Sequence, residues 1–281
     1  MRGPGLILTL FACAFFAQGQ APAPPSAPEP PGIQDNSFLV EEAYNQDPGV
    51  VQHIQQFVRD FRTGTWVYSF TQEWPVPSMA HQLSYTLTAA RVLRQRGQDV
   101  GLGDLELNYR YQLVGNGEAE VAMAPRLSLI LPTGNFRREL GLGAVGFQSQ
   151  IPISLVLSRW FAAHGNVGVT WVPSARDAEG DRARLLAPNL GASLVWLASP
   201  TWNLLCETVW ARNEAVTGPG RIGKQTLFLV NPGVRVAWNL RGGLQIVGGL
   251  SAPLGVGPSR GSRSILLYLS VEHPFRKRTN D

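Results

Sequence analysis

Residues 141–146 read GLGAVG and match, as a string, the glycine pattern that lets a backbone approach a dinucleotide pyrophosphate. That chemistry needs a helix N-terminus to hold the phosphates, but the next residues, FQSQIPIS (147–154), alternate as a strand does. The stretch reads as a loop entering a strand. Residues 257–261, GPSRG, imitate the nucleophile elbow of hydrolases around Ser259, and again a strand pattern stands where the elbow requires a helix. His53, His81, His164 and His273 share no ligand-like spacing, so neither a metal nor a cofactor is expected. A serine brought beside His164 by folding would suffice for a lipid-modifying hydrolase, which stands as the lesser, enzymatic alternative.

The remaining constellation is spread along alternating segments. In GDLELNYRYQLVG (residues 103–115), Leu105, Leu107, Tyr109, Tyr111 and Leu113 share one face, and Asp104, Glu106, Asn108, Arg110 and Gln112 share the other. Continuing the alternation adds Arg126, Gln148, Gln150, His164, Asn166, Glu207, Asn231, Arg235, Gln245 and Glu272 to the polar side. Two roles fit such a set: a paired network bracing a narrow lumen, or a pore lining of mixed sign with weak charge selectivity.

These side chains need elements to position them, and composition narrows the choice. The chain has 281 residues, 44% hydrophobic and 16% charged, with a formal net charge of +4. Its basic residues are scattered among acids, so nucleic acid is not an expected partner. Residues 1–20 have a basic start, a short apolar run and small residues near the end, which reads as a cleaved secretory signal peptide. Residues 21–32, APAPPSAPEPPG, read as an extended Pro-rich linker. With Cys206 alone remaining after cleavage, no internal disulfide is expected. No later segment is a continuous apolar 18-mer, which leaves the periplasm, secretion or a membrane barrel.

Asp47 and Pro48 suit a helix start, and Val50, Ile54, Phe57, Val58 and Phe61 recur at helical spacing. A short amphipathic helix is therefore expected in an N-terminal segment, residues 33–63, either packed on the strands C-terminal to it or placed as a plug or lid. From Gly64 to Phe275 the period is two, giving eleven candidate strands with short turns at one end and long loops at the other, notably near residues 175–186 and 212–224. Eleven strands conflict with both chain ends lying on one side, so twelve are expected. Either one strand is hidden, or residues 38–61 pass through the lumen. Trp66 and Trp74 share a face eight residues apart, roughly 19 Å on a tilted strand, near the ~25 Å apolar band of outer-membrane barrels. With Trp171, Trp196, Trp210 and Trp238, and with Trp160 and Trp202, they read as two aromatic girdles.

Several of these segments, IQDNSFLVEEAYNQDPGVVQHI, SFTQEWPVPS, HQLSYTL, LNYRYQLVGNGEAEVAMAPRLSLILPTGN and YLSVEHPF, resemble the outer-membrane transporters of the phenol-degradation meta-pathway family, from about Ile33 to Phe275. The resemblance implies an outer-membrane β-barrel that passes small molecules, hydrophobic or aromatic ones among them. It assigns no residue roles. Phe275 is followed by RKRTND, residues 276–281, so the terminal aromatic residue read by the barrel assembly machinery is not last. The expected architecture is all-β, an antiparallel up-and-down transmembrane barrel of about twelve strands at residues 64–275. Outer-membrane lipid, a small solute and the assembly machinery are its expected partners. A closed structural or interaction barrel is the alternative to passive passage.

Overall fold

The computed structural model describes residues 33, 37–94, 97–115 and 119–275. The expected signal peptide, the linker, residues 116–118 and the basic tail lie outside the described residues.

The described chain forms one antiparallel sheet closed on itself. Its strands are β1 (Val50–Asp60), β2 (Trp66–Pro75), β3 (His81–Arg94), β4 (Gly97–Leu102), β5 (Leu105–Tyr111), β6 (Val121–Met123) and β7 (Arg126–Leu131). They continue as β8 (Gly146–Ser158), β9 (Phe161–Arg176), β10 (Arg182–Ser199), β11 (Trp202–Gly218), β12 (Arg221–Asn239), β13 (Gln245–Ser251), β14 (Leu254–Gly255) and β15 (Ser264–Pro274). Three staves are interrupted, as β4 with β5, β6 with β7, and β13 with β14, so the barrel has twelve. Each stave pairs with its sequence neighbours, and β1 pairs with β15 to close the ring.

The hidden twelfth strand is β1. The segment expected to be a helix is extended and bonded on both sides, to β15 from Val50↔Pro274 to Asp60↔Ser264 and to β2 from Gln52↔Glu73 to Arg59↔Trp66. The barrel therefore begins at Val50, and not at Gly64. Helical spacing of apolar residues loses to closure here: an open edge along β15 and β2 would leave two rows of backbone groups unpaired, and β1 satisfies both. The other reading of the strand count, residues 38–61 in the lumen, is met only in its first part: residues 37–46 run inside the lumen, whereas Val50–Asp60 is wall.

We call the end with Val50 and Pro274 the near end, and the opposite one the far end. The long far-end loops expected near 175–186 and 212–224 are instead strand. β9 runs to Arg176 and β10 starts at Arg182, with Asp177 Oδ1 accepting the amides of Gly180 (3.0 Å) and Asp181 (2.8 Å) in the turn. β11 and β12 meet at Gly218↔Arg221. These four strands have 16, 18, 17 and 19 residues, well beyond the roughly 9–11 that cross a bilayer. Their charged and turn-forming residues disguise hairpins that project past the barrel rim.

The wall separates its faces as the alternation requires. Leu83, Leu107, Tyr109, Leu127, Phe147, Val167, Leu190 and Leu250 are exposed on the outside. Trp160, Trp171, Trp196, Trp202 and Trp238 are exposed too, near strand ends. Trp66 and Trp74 are partly covered, Trp74 by Tyr85 at 5.7 Å. Trp210 stands mid-strand, opposite Leu190 and Phe228, because β11 continues to Gly218.

Candidate functional site

The inner wall is polar, and an interior segment uses it. Residues 37–46 form no strand, so their backbone groups need partners from outside the segment, and an unpaired buried amide would cost about 1–3 kcal/mol. Wall side chains supply them. Glu207 Oε1 on β11 accepts the amides of Leu39 (2.8 Å) and Val40 (2.9 Å). Asn166 on β9 both accepts from Glu41 N (2.7 Å) and donates to Glu41 O (2.9 Å). Ser154 Oγ on β8 accepts from Ala43 N (2.8 Å), Gln112 Oε1 from Asn45 N (2.9 Å), and Gln82 Oε1 on β3 from Gln46 N (2.8 Å). Residues 37–46 thus form a strap that crosses the lumen from β10 and β11 towards β3, where Val50 joins the wall.

Three arginines hold the strap by charge and by its carbonyls. Arg110 on β5 donates to Tyr44 O (2.8 Å) and Asn45 Oδ1 (3.0 Å) and lies 3.6 Å from Glu73 Oε2. Arg126 on β7 pairs with Glu41 at 2.6 Å and bonds Asn108 Oδ1 (2.9 Å) and Gln148 Oε1 (2.8 Å). Arg235 on β12 reaches Glu42 Oε1 at 3.0 Å. Charges removed from bulk water persist when paired and hydrogen-bonded, as these are.

Apolar contacts complete the fit. Phe38 lies in a buried cluster with Ile33, Ile54, Val195, Leu205, Val247, Leu266 and Tyr268. A Cβ at Gly233 or Gly249 would stand 2.5 or 2.3 Å from the Phe38 ring, so these two wall positions admit no side chain while the strap is seated. Between the strap and the β2, β3, β5 and β7 wall remains a cavity of about 240 Å³ lined by Thr71, Glu73, Thr86, Glu106 and Arg126 among others. That is room for several waters.

The sequence-predicted residues all fall on the inner side but divide in role. Asn108, Arg110, Gln112, Arg126, His164, Asn166, Glu207 and Arg235 converge on the strap or on its partners. Asn231 supports Glu207 through Nδ2 to Oε2 at 2.6 Å. Gln150 bonds Asn189 Oδ1 at 3.0 Å on the wall, and Glu272 stands in register with Gln52 and Gln245 near the near end. Glu106 faces the cavity. Asp104 serves a different element: it accepts Gly134 N (2.9 Å) and Leu142 N (2.7 Å), tying down the segment between β7 and β8. Sequence reasoning missed Glu41, Glu42, Glu73, Gln82 and Ser154. Glu73, Gln82 and Ser154 were open to detection, since each occupies the inner phase of its strand.

Folding does bring a serine to His164. Ser154 Oγ lies 2.8 Å from His164 Nδ1, and His164 Nε2 lies 3.5 Å from Glu42 Oε1. The three groups have the order of a hydrolytic triad. Yet Ser154 is 0% exposed and His164 5%, and the strap backbone at Ala43 occupies the hydroxyl. Glu42 belongs to the strap, so removing the strap to expose Ser154 removes the acid as well. The arrangement anchors the strap and cannot at once be complete and accessible.

The motif-like stretches behave as loops. Residues 141–146 lead directly into β8, and Ser259 Oγ accepts Phe228 N (2.8 Å) in a 3-10 turn, Gly257–Ser259.

Comparison with known proteins bears on the architecture. No protein-family model matches the chain, and no curated protein matches it. Among solved structures, an outer membrane channel from Pseudomonas putida F1 superposes with a TM-score of 0.59 at 15% identity, over 83% of this chain and 97% of that one. The NanC porin superposes with a TM-score of 0.51 at 6% identity, over 79% of this chain and 98% of that one. The chain thus shares the barrel fold of these proteins.

Proposed function

We propose that this chain is an outer-membrane barrel for passive passage of small molecules, in which the strap, residues 37–46, closes the lumen. The carrying observation is the space of about 240 Å³ left between the strap and the β2, β3, β5 and β7 wall, lined by polar side chains, beside a strap seated by hydrogen bonds and ion pairs that water can replace as well as by the Phe38 cluster. The exposed Leu, Val, Phe and Trp of the outer wall suit lipid contact. The near end, where the wall's first and last strands meet, is then periplasmic. The fold-sharing Pseudomonas putida protein is named a channel, and the resemblance to the phenol-degradation meta-pathway transporters supports hydrophobic or aromatic solutes for this one. Cleavage of the signal peptide and assembly by the barrel machinery belong to the same proposal.

The extent of the strap's bonding favours a second reading, a structural barrel that never opens. A disulfide lock separates the two. A Cβ at Gly191 on β10 stands 3.0 Å from Val40 Cγ2, close enough for cysteines at both positions to bridge. In a Cys206→Ser background, Val40→Cys/Gly191→Cys is expected to abolish single-channel conductance in planar bilayers and to regain it on reduction. Absence of conductance both from the reduced pair and from the unmodified chain would leave the structural barrel.

A further inference from the structure

Some far-end bases are neutralised: Arg138 by Asp99 at 2.9 Å, Arg212 and Lys224 by Glu214 at 3.4 and 3.9 Å. Those of one row on the outer wall are not. Directly opposed residues share a face of a sheet, and the register Ile265, Arg59, Trp66, Arg91, Val100 runs across β15, β1, β2, β3 and β4. Arg59 is exposed and Arg91 half-exposed. Arg62 and Arg263 stand exposed beside the row, and their loops are joined by Phe61 N donating to Arg263 O at 2.8 Å.

Among the described residues none of these four arginines has a carboxylate within ion-pair distance. Arg91 donates to the neutral Gln98. The nearest acid in sequence, Asp60, lies on the inward phase of β1. Its carboxylate accepts from Thr63 N (2.8 Å), Thr63 Oγ1 (2.9 Å) and Ser262 Oγ (2.7 Å). The next outward row towards the near end is apolar and aromatic: Leu267, Phe57, Tyr68 and Ala89. Phe57 packs on Trp66 at 5.9 Å.

We propose that Arg59 and Arg91, with Trp66 between them, bind the phosphates of an outer-leaflet glycolipid whose acyl chains lie over the row below. One strand, β2, separates the arginines, so their Cα atoms are two strand spacings, about 10 Å, apart, and each planar guanidinium can hold a phosphate bidentately. An indole between them suits the level where headgroups meet chains. An amphipathic ligand satisfies both rows, whereas a free phosphate ion satisfies one. The site rests on the outer-membrane reading, with the outer wall in lipid and the far end facing outward.

The test uses the full chain in detergent and a bis-phosphorylated, acylated glucosamine disaccharide as probe, with bound fraction read by native mass spectrometry. Arg59→Gln/Arg91→Gln is expected to bind about 30-fold more weakly, the fully dephosphorylated lipid to bind the unmodified chain as weakly, and Arg159→Gln/Arg241→Gln at the near end to change nothing. Equal binding by the Arg59/Arg91 variant, equal binding of the dephosphorylated lipid, or full displacement by millimolar inorganic phosphate overturns the site. Orientation is read separately, by labelling Arg62→Cys in a Cys206→Ser background on intact cells with an impermeant maleimide. No labelling overturns the outer-membrane orientation, and labelling with unchanged lipid affinity overturns the site alone.

Discussion

Arg235 is 1% exposed and Glu42 4%, and their 3.0 Å contact ties β12 to the strap. Removing one member of a buried pair leaves the other charge desolvated, at a cost of about 3–5 kcal/mol. Arg235→Gln is therefore expected to lower the free energy of unfolding by about that much, measured by urea titration of tryptophan fluorescence in vesicles, and to raise the conductance of the folded fraction. Glu42→Gln/Arg235→Gln should recover part of the stability while the conductance stays high. A single variant as stable as the unmodified chain would show that the pair holds nothing. The inward phase of Asn108, Arg110, Arg126, Glu207 and Arg235 was legible because side chains alternate along any strand. Their partners were not, because Glu41 and Glu42 lie in a segment without period, and only three-dimensional closure brings residue 42 to residue 235.

At the level of elements, β1 was misread for a physical reason. Its inward residues Gln52, Ile54, Gln56 and Val58 mix polar and apolar types because they meet the strap, with Gln56 Nε2 donating to Phe38 O at 2.8 Å. Its outward residues mix them too: Gln55 accepts from Tyr68 OH at 3.0 Å, and His53 lies 3.2 Å from His273, Nε2 to Nε2. Neither face shows the contrast that reveals a strand. The hairpins at 177–181 and 219–220 were hidden in the same way, since a strand that projects past the barrel rim has no need of an apolar face. Asp104 holds both ends of the stretch 134–142, between β7 and β8, through two charge-assisted bonds, while Arg138 pairs with Asp99 at its middle. Each bond to Asp104 is worth roughly 1.5–3 kcal/mol. Asp104→Ala should therefore loosen the segment at Gly134 and Leu142 while leaving the barrel and the Arg138–Asp99 pair intact, seen as faster amide exchange at those two residues at unchanged heat-modifiable migration. Unchanged exchange at Gly134 and Leu142 would count against this anchoring.

For the molecule as a whole, one alternation has two readings until the inside is identified. In a water-soluble fold the leucines of residues 105–113 would be core; here Leu107 and Leu113 are exposed while Asn108 and Arg110 are buried. The strand count agrees with this inversion only once β1 is included, since an even ring returns both ends of the wall to one side, where Val50 pairs with Pro274. Substitution on the outer wall then separates lipid from water. Leu190 is 50% exposed in the interior of β10, opposite Val167 and Trp210. In water, Leu190→Arg would alter stability by at most about 0.5 kcal/mol, as surface changes usually do. In a bilayer midplane the same change costs about 2–4 kcal/mol, and less towards the interfaces. Reversible folding into phosphatidylcholine vesicles is therefore expected to lose that amount with Leu190→Arg, and to lose less with Leu186→Arg, one girdle nearer the far end, opposite Trp171. Equal and small effects at both positions would place water on the outer wall and return the leucines to a soluble surface.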